Sequence, residues 1–267
     1  TEEPLRLDSA MVRKALVDYG VGSILNTASN KARTVEKWHE VISELQRVAT
    51  EETRLGIPVL YGVDAIHGTT YTVGATFFPQ QIGQAATWNR ELVRKGGEIT
   101  AYETRASGIP WNFSPVLDMG RDPRFARMWE TFGEDVHLVS ELGVELVKGY
   151  EGENNEVSNP FHVASCLKHY LGYGTPWSGK DRTPAHMSDT ELRERHLPAF
   201  EAAIEAGAHT VMVNSGLING VPVHASYELL TGLLKEELGF QGLVVTDWAD
   251  INNLHSRDRV AVNHKEA

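Results

Sequence analysis

The chain has 267 residues, with 25 Lys and Arg against 36 Asp and Glu, a formal charge of −11. Its 41% hydrophobic and 23% charged content suits a globular domain with a sizeable core, and the acidic balance argues against non-specific binding to nucleic acid or an anionic membrane surface. No run approaches the roughly 18 apolar residues of a spanning helix, and a lone cysteine, Cys166, excludes an intrachain disulfide framework or a multi-cysteine zinc site.

The first residues, Thr1-Glu2-Glu3-Pro4, have neither the basic start nor the apolar core of a secretory leader. Residues 21–25 then read as a short strand, and residues 34–54 as an amphipathic helix. The same alternation continues with a strand at 58–63 and a helix at 79–107, then a strand at 111–117 and a helix at 134–150. It goes on with a strand at 162–169 and a helix at 188–206, a strand at 210–214 and a helix at 226–238, and ends on a strand at 243–246. Ser188-Asp189-Thr190-Glu191 forms a capping box at one helix start, and Gly207 stands where that helix should stop. A further short strand is expected near residues 185–187.

Strands buried on both faces and joined by single helices pair in parallel through right-handed crossovers, and six such units favour a (β/α) barrel over an open sheet. Six is fewer than eight, and Asn263-His264-Lys265-Glu266-Ala267 is a polar run that closes no element. The expectation is one α/β domain over residues 1–267, a TIM-like barrel incomplete at its C-terminal end.

In such a barrel, chemistry gathers where strands end. The polar residues at those points are Asp64 and His67, Asp118, Arg121 and Asp122, Lys168 and His169, Asn214 and Ser215, then Asp247 and Trp248. Acids, cations, an imidazole and an indole at one mouth suit a small polyhydroxylated ligand, whose hydroxyls need paired donors and acceptors and whose ring needs an apolar face. Taken singly, each has a plainer reading: Asp247 as a helix cap, Lys168-His169 as a partly exposed pair, His67 as a satisfied core histidine. Asn112-Phe113-Ser114 matches a glycosylation acceptor but lies in a buried strand, and His39-Glu40 lacks the second histidine of a zinc-protease helix, Ser43 standing there.

Four blocks, in order and spacing, resemble glycoside hydrolase family 3: Gly62-Val63-Asp64-Ala65-Ile66-His67-Gly68, Asn112-Phe113-Ser114-Pro115 leading to Arg121-Asp122-Pro123-Arg124, Cys166-Leu167-Lys168-His169-Tyr170, and Val244-Val245-Thr246-Asp247-Trp248. The likeness runs from about residue 20 to 258 and is greatest to bacterial β-glucosidases of that family. It implies a barrel followed by an α/β-sandwich domain that supplies the general acid/base and is absent from these residues. It also implies a retaining exo-acting hydrolase of terminal β-D-glucosyl residues, with no cofactor and no metal. By resemblance, Asp247 is the catalytic nucleophile. Asp64, Arg121, Lys168 and His169 hold the sugar hydroxyls, Lys168 and His169 as donors, and Trp248 forms an aromatic wall.

Two departures bear on the site. Many family members carry a Tyr beside the nucleophile where this sequence has Ser215, a shorter hydroxyl in the same supporting place. The Asp-Ser/Thr-His acid/base element of the family's N-acetylglucosaminidases is missing, since Asp181 is followed by Arg182-Thr183, with His186 further on. The partner implied is a small carbohydrate, with homo-oligomerisation left open, and the resemblance suggests a periplasmic or secreted location. Other readings are a β-xylosidase or another exo-glycosidase of the family, or a carbohydrate-binding barrel without useful catalysis.

Overall fold

The computed structural model describes residues 6–27 and 31–267. Six parallel strands form one curled sheet: β1 (Ser23–Leu25), β2 (Leu60–Val63), β3 (Trp111–Asn112), β4 (Ala164–Tyr170), β5 (Thr210–Val213) and, last in the chain, β8 (Leu243–Val245). Their spatial order, β1-β2-β3-β4-β5-β8, follows the chain. That is the winding of a barrel, because a doubly wound sheet would reverse order at a switch point. The sheet holds two strands fewer than the eight of a closed barrel.

Around it lie α1 (Ser9–Arg13), α2 (Val35–Arg47), α3 (Gln81–Ala85), α4 (Arg90–Ala106), α5 (Val136–Glu151), α6 (Asp189–Glu191), α7 (Leu197–Glu205) and α8 (Asp250–Ser256), with a wider-wound helix at Glu228–Glu237. A small antiparallel hairpin, β6 (Leu217–Ile218) with β7 (Val221–Pro222), turns on Asn219-Gly220, both in the left-handed region. Asn-Gly is the dipeptide that such a turn selects.

Four expectations are corrected. The single helix over residues 79–107 is two, α3 and α4. Trp88 adopts φ 53° and Asn89 caps α4, its side chain accepting from the Leu92 N–H at 3.0 Å. The strand over 111–117 pairs regularly only at Trp111 and Asn112. Pro115 has no N–H to give, and the ladder returns as an isolated bridge from Val116 to Lys168. The capping box is half made: Ser188 accepts from the Glu191 N–H at 3.1 Å, but the Glu191 carboxylate turns to Arg121 at 2.7 Å instead of reaching back. The short strand near 185–187 is a single bridge from Ala185 to Ile218.

The main core lies between the sheet and α4, α5 and α7, where Leu117, Leu142, Leu146, Leu167 and Phe200 are fully buried or nearly so. The close approach of α4 and α5 depends on Gly149, where a Cβ would stand 2.6 Å from the Arg94 carbonyl oxygen. Trp111, Phe113, Cys166 and Met212 pack together within the curl of the sheet. Among the described residues no helix is long and apolar enough to cross a membrane.

At the end where β4 and β5 enter the sheet, the wholly buried Glu151 accepts from the Ser165 N–H and hydroxyl and from His209 Nδ1 and the Asn155 amide, at 2.7 to 3.0 Å. Every partner is a donor, so an acceptor-only carboxylate fits and an amide does not. Glu151→Gln is expected to destabilise the fold by about 3 kcal/mol, seen as a lower denaturant midpoint at unchanged slope.

Candidate active site

At the exit ends of the strands the structure holds a cavity of about 890 Å³. Asp64, Lys168, His169, Asp247 and Trp248 line it, together with Asn26, Arg127, Glu130, Asp181 and Arg182, while Trp111, Phe113, Met212 and Val245 give an apolar face. The mixture provides hydroxyl partners on one side and a surface for a ring on the other.

Asp64 follows β2 directly, and its carboxylate accepts from Lys168 Nζ at 2.7 Å. Lys168 is 3% exposed, a depth at which a polar head group needs such a partner. Burial opposes the charge on Asp64, but the Lys168 ammonium, its hydrogen bond and that of Asn26 outweigh it and hold the carboxyl below its ordinary range. A depressed folded-state pKa stabilises the fold above the unfolded value of about 3.9, and that contribution is lost as pH falls through the folded value. Wild type should therefore exceed Asp64→Asn in unfolding free energy near neutrality, and the gap should close as pH falls below the ordinary carboxylate range.

A strand normally sends neighbouring side chains to opposite faces. Lys168 and His169 both reach the cavity because the β4–β5 register shifts between Leu167 and Tyr170. Behind His169, Asp118 bonds Nδ1 at 2.7 Å and accepts from the His169 backbone N–H at 3.2 Å. Burial, reinforced by Arg127, Lys168 and Arg182, holds His169 well below its ordinary value, so the imidazole is neutral. Burial also pushes the Asp118 carboxyl up to about 7. Where the proton of the Asp118–His169 contact sits sets whether Nε2 donates or accepts toward the cavity.

Asp247 follows β8 by two residues, and its side chain is 11% exposed. Oδ1 accepts from Arg182 Nη2 at 3.2 Å and from the Trp248 N–H at 2.5 Å. Oδ2 is buried with no hydrogen-bond partner, 3.9 Å from His169 Nε2. Trp248 is 69% exposed at the rim, its indole free to meet a ring.

Two expected residues lie elsewhere. Arg121 is outside the cavity, in its pair with Glu191. The arginine at the mouth is Arg127, six residues on, forked to Glu130 at 2.7 and 2.9 Å and close to the Tyr173 hydroxyl. Ser215 is fully buried behind the wall, where its hydroxyl meets Arg182 at 2.6 Å and Asp250 at 2.9 Å. His67 bonds the Phe78 carbonyl away from the cavity, the plainer of its two readings. Asn112 is buried, bonded to the Ala65 backbone.

Asp181, held by the Tyr173 hydroxyl and 3.8 Å from Arg182, is not singled out as a cavity residue by spacing, nor are Arg182, Arg127 or Glu130. They arrive on loops whose positions are set by tertiary packing. Among the described residues no group of three or more His, Cys, Asp and Glu is placed to hold a metal ion.

Residues 5–267 match the model of the glycosyl hydrolase family 3 N terminal domain. The chain is 44% identical over 234 residues to a lysosomal beta glucosidase of Dictyostelium discoideum, covering 86% of this chain and 28% of that protein. It is 39% identical over 234 residues to a beta-xylosidase of Formosa agariphila, covering 85% and 32%. An exo-1,3/1,4-beta-glucanase from a Pseudoalteromonas species superposes with a TM-score of 0.85 at 34% identity, covering 93% of this chain and 32% of that one. The chain thus spans about a third of the length of the proteins it matches.

Proposed function

The chain belongs to glycosyl hydrolase family 3, and from that premise we propose that it carries the nucleophile and sugar-binding half of a retaining, exo-acting β-glucosidase. Asp247 carries the reading: a cavity-lining carboxylate with one oxygen held by two donors and the other buried and unpartnered.

In the proposed reaction, Oδ2 of Asp247 attacks the anomeric carbon as the glycosidic bond breaks and an acid protonates the departing oxygen. A glucosyl ester of Asp247 forms. Water, losing its proton to the same acid/base residue, then attacks that carbon and releases glucose with retained configuration. Lys168 and Arg127 donate to hydroxyls, Asp64 accepts from them, and His169 Nε2 meets another. Trp248 stacks against the sugar or its leaving group.

Each remaining carboxylate of the cavity is committed: Asp64 to Lys168, Glu130 to Arg127, Asp181 to Tyr173. The acid/base is therefore assigned to a part of the enzyme outside these residues, the α/β-sandwich domain, and the barrel is read as one domain of a longer enzyme. The relative named lysosomal supports a location outside the cytoplasm.

The test is labelling with 2,4-dinitrophenyl 2-deoxy-2-fluoro-β-D-glucoside, whose activated leaving group departs without acid assistance and whose fluorine slows release. Peptide mass spectrometry should find one fluoroglucosyl group on Asp247. A label elsewhere, or none on active full-length enzyme, sinks the assignment. Likeness to the Formosa agariphila beta-xylosidase supports a second reading, hydrolysis of β-xylosides, which the ratio of kcat/KM on aryl β-xylosides and β-glucosides separates. A barrel that binds sugar without turning it over would show ligand binding but no label.

A further inference from the structure

We propose that Arg182 is a positioning residue for the nucleophile: latched by Ser215, its guanidinium fixes Oδ1 of Asp247, leaves Oδ2 to attack, and receives the negative charge when the carboxylate leaves. The inference rests on the reading of Asp247 as nucleophile and goes beyond it, since neither Arg182 nor a latch belongs to that reading.

The donor directions are fixed along the whole chain of contacts. Asp250 is 1% exposed, and its Oδ1 accepts from the Asn253 amide and the Ser215 hydroxyl, both at 2.9 Å. Ser215 has one proton, and it goes to Asp250. Its oxygen must then accept, and Arg182 Nη1 donates to it at 2.6 Å. Arg182 Nη2 donates to Asp247 Oδ1 at 3.2 Å. A guanidinium is a rigid plane, so holding Nη1 sets where Nη2 points. Ser215 does not line the cavity, and its route to the reaction runs through Arg182.

The consequence for rate differs between the two steps. When Asp247 attacks, its charge is lost, so a cation beside it stabilises the starting carboxylate more than the transition state. This partly offsets the benefit of holding Oδ1 in place. When water attacks the ester, charge returns to the carboxylate, and the same cation lowers the barrier. Arg182 is therefore worth more in release of the sugar than in its capture, an asymmetry that a purely structural residue does not produce.

The experiment uses the full-length enzyme and the 2-fluoroglucosyl probe, following the rate of trapping and then, after removal of excess probe, the rate of reactivation. Arg182→Met should slow reactivation roughly 10-fold to 100-fold, the scale of one charged hydrogen bond, and slow trapping by clearly less. Arg182→Lys should restore part of the reactivation rate, since charge remains while the fork is lost. Ser215→Ala should slow reactivation in the wild-type background and add nothing in the Arg182→Met background, because its effect passes through that side chain. Equal slowing of both steps, no slowing, or additive effects would overturn the inference while a label on Asp247 left the parent reading intact. A wild-type label at another residue overturns both.

Discussion

Asp247→Ala is expected to lower hydrolysis of aryl β-glucosides by the full-length enzyme roughly 10⁵-fold, the scale on which removing a nucleophile disables a covalent mechanism. Binding should change far less, because Lys168, Asp64, His169 and Arg127 remain in the cavity. The space vacated beside Arg182 then suits a small anion. Azide placed there should attack the anomeric carbon of an activated aryl glucoside, expel the phenolate and form α-glucosyl azide. This product has the inverted configuration, because a single displacement replaces two. Rescue with that stereochemistry distinguishes a lost nucleophile from a damaged fold. If Asp247 only capped α8, the substitution would leave turnover within a few-fold of wild type and azide would yield no α-product.

The order of strands is open to reading from the chain because a parallel strand covered on both faces must be a largely apolar run, and 58–63, 163–167 and 210–213 are such runs, broken only by Ser165 and Thr210. The break at Trp88 is not, since apolar spacing continues across residues 79–107 and only the left-handed turn separates α3 from α4. Asp64, Lys168, His169 and Asp247 are readable as site residues because they end strands, whose direction fixes where the next side chain stands. Arg121, Arg124 and Arg127 recur every three residues, and spacing alone does not select among them. Glu191 draws the first away, Asp122 the second, and Glu130 with Tyr173 holds the third at the mouth. Arg182 lies 65 residues from Asp247, and only the folded loop after β4 brings them together. The neutrality of His169 is likewise a tertiary property, set by burial and by the cations around it.

Lys168→Met carries the second large effect, a fall in kcat/KM of roughly 10²- to 10³-fold on β-glucosides. The ammonium has three donors and Asp64 takes one at 2.7 Å, leaving two for hydroxyls inside the cavity. A charged hydrogen bond is worth about 1.5–3 kcal/mol, and the substitution also leaves Asp64 without its cation. The effect should be specific to one part of the sugar. Wild type should discriminate about 10²-fold against the monodeoxy glucoside lacking the hydroxyl that Lys168 binds, because the sugar then leaves a buried donor unpaired. In Lys168→Met that donor is gone, and discrimination at that hydroxyl should shrink below about 10-fold while selectivity at the other hydroxyls is kept. Uniform loss across all monodeoxy substrates would mean that Lys168 only supports the fold of the cavity. Loss confined to one hydroxyl would mean that the Asp64–Lys168 pair reads the sugar directly.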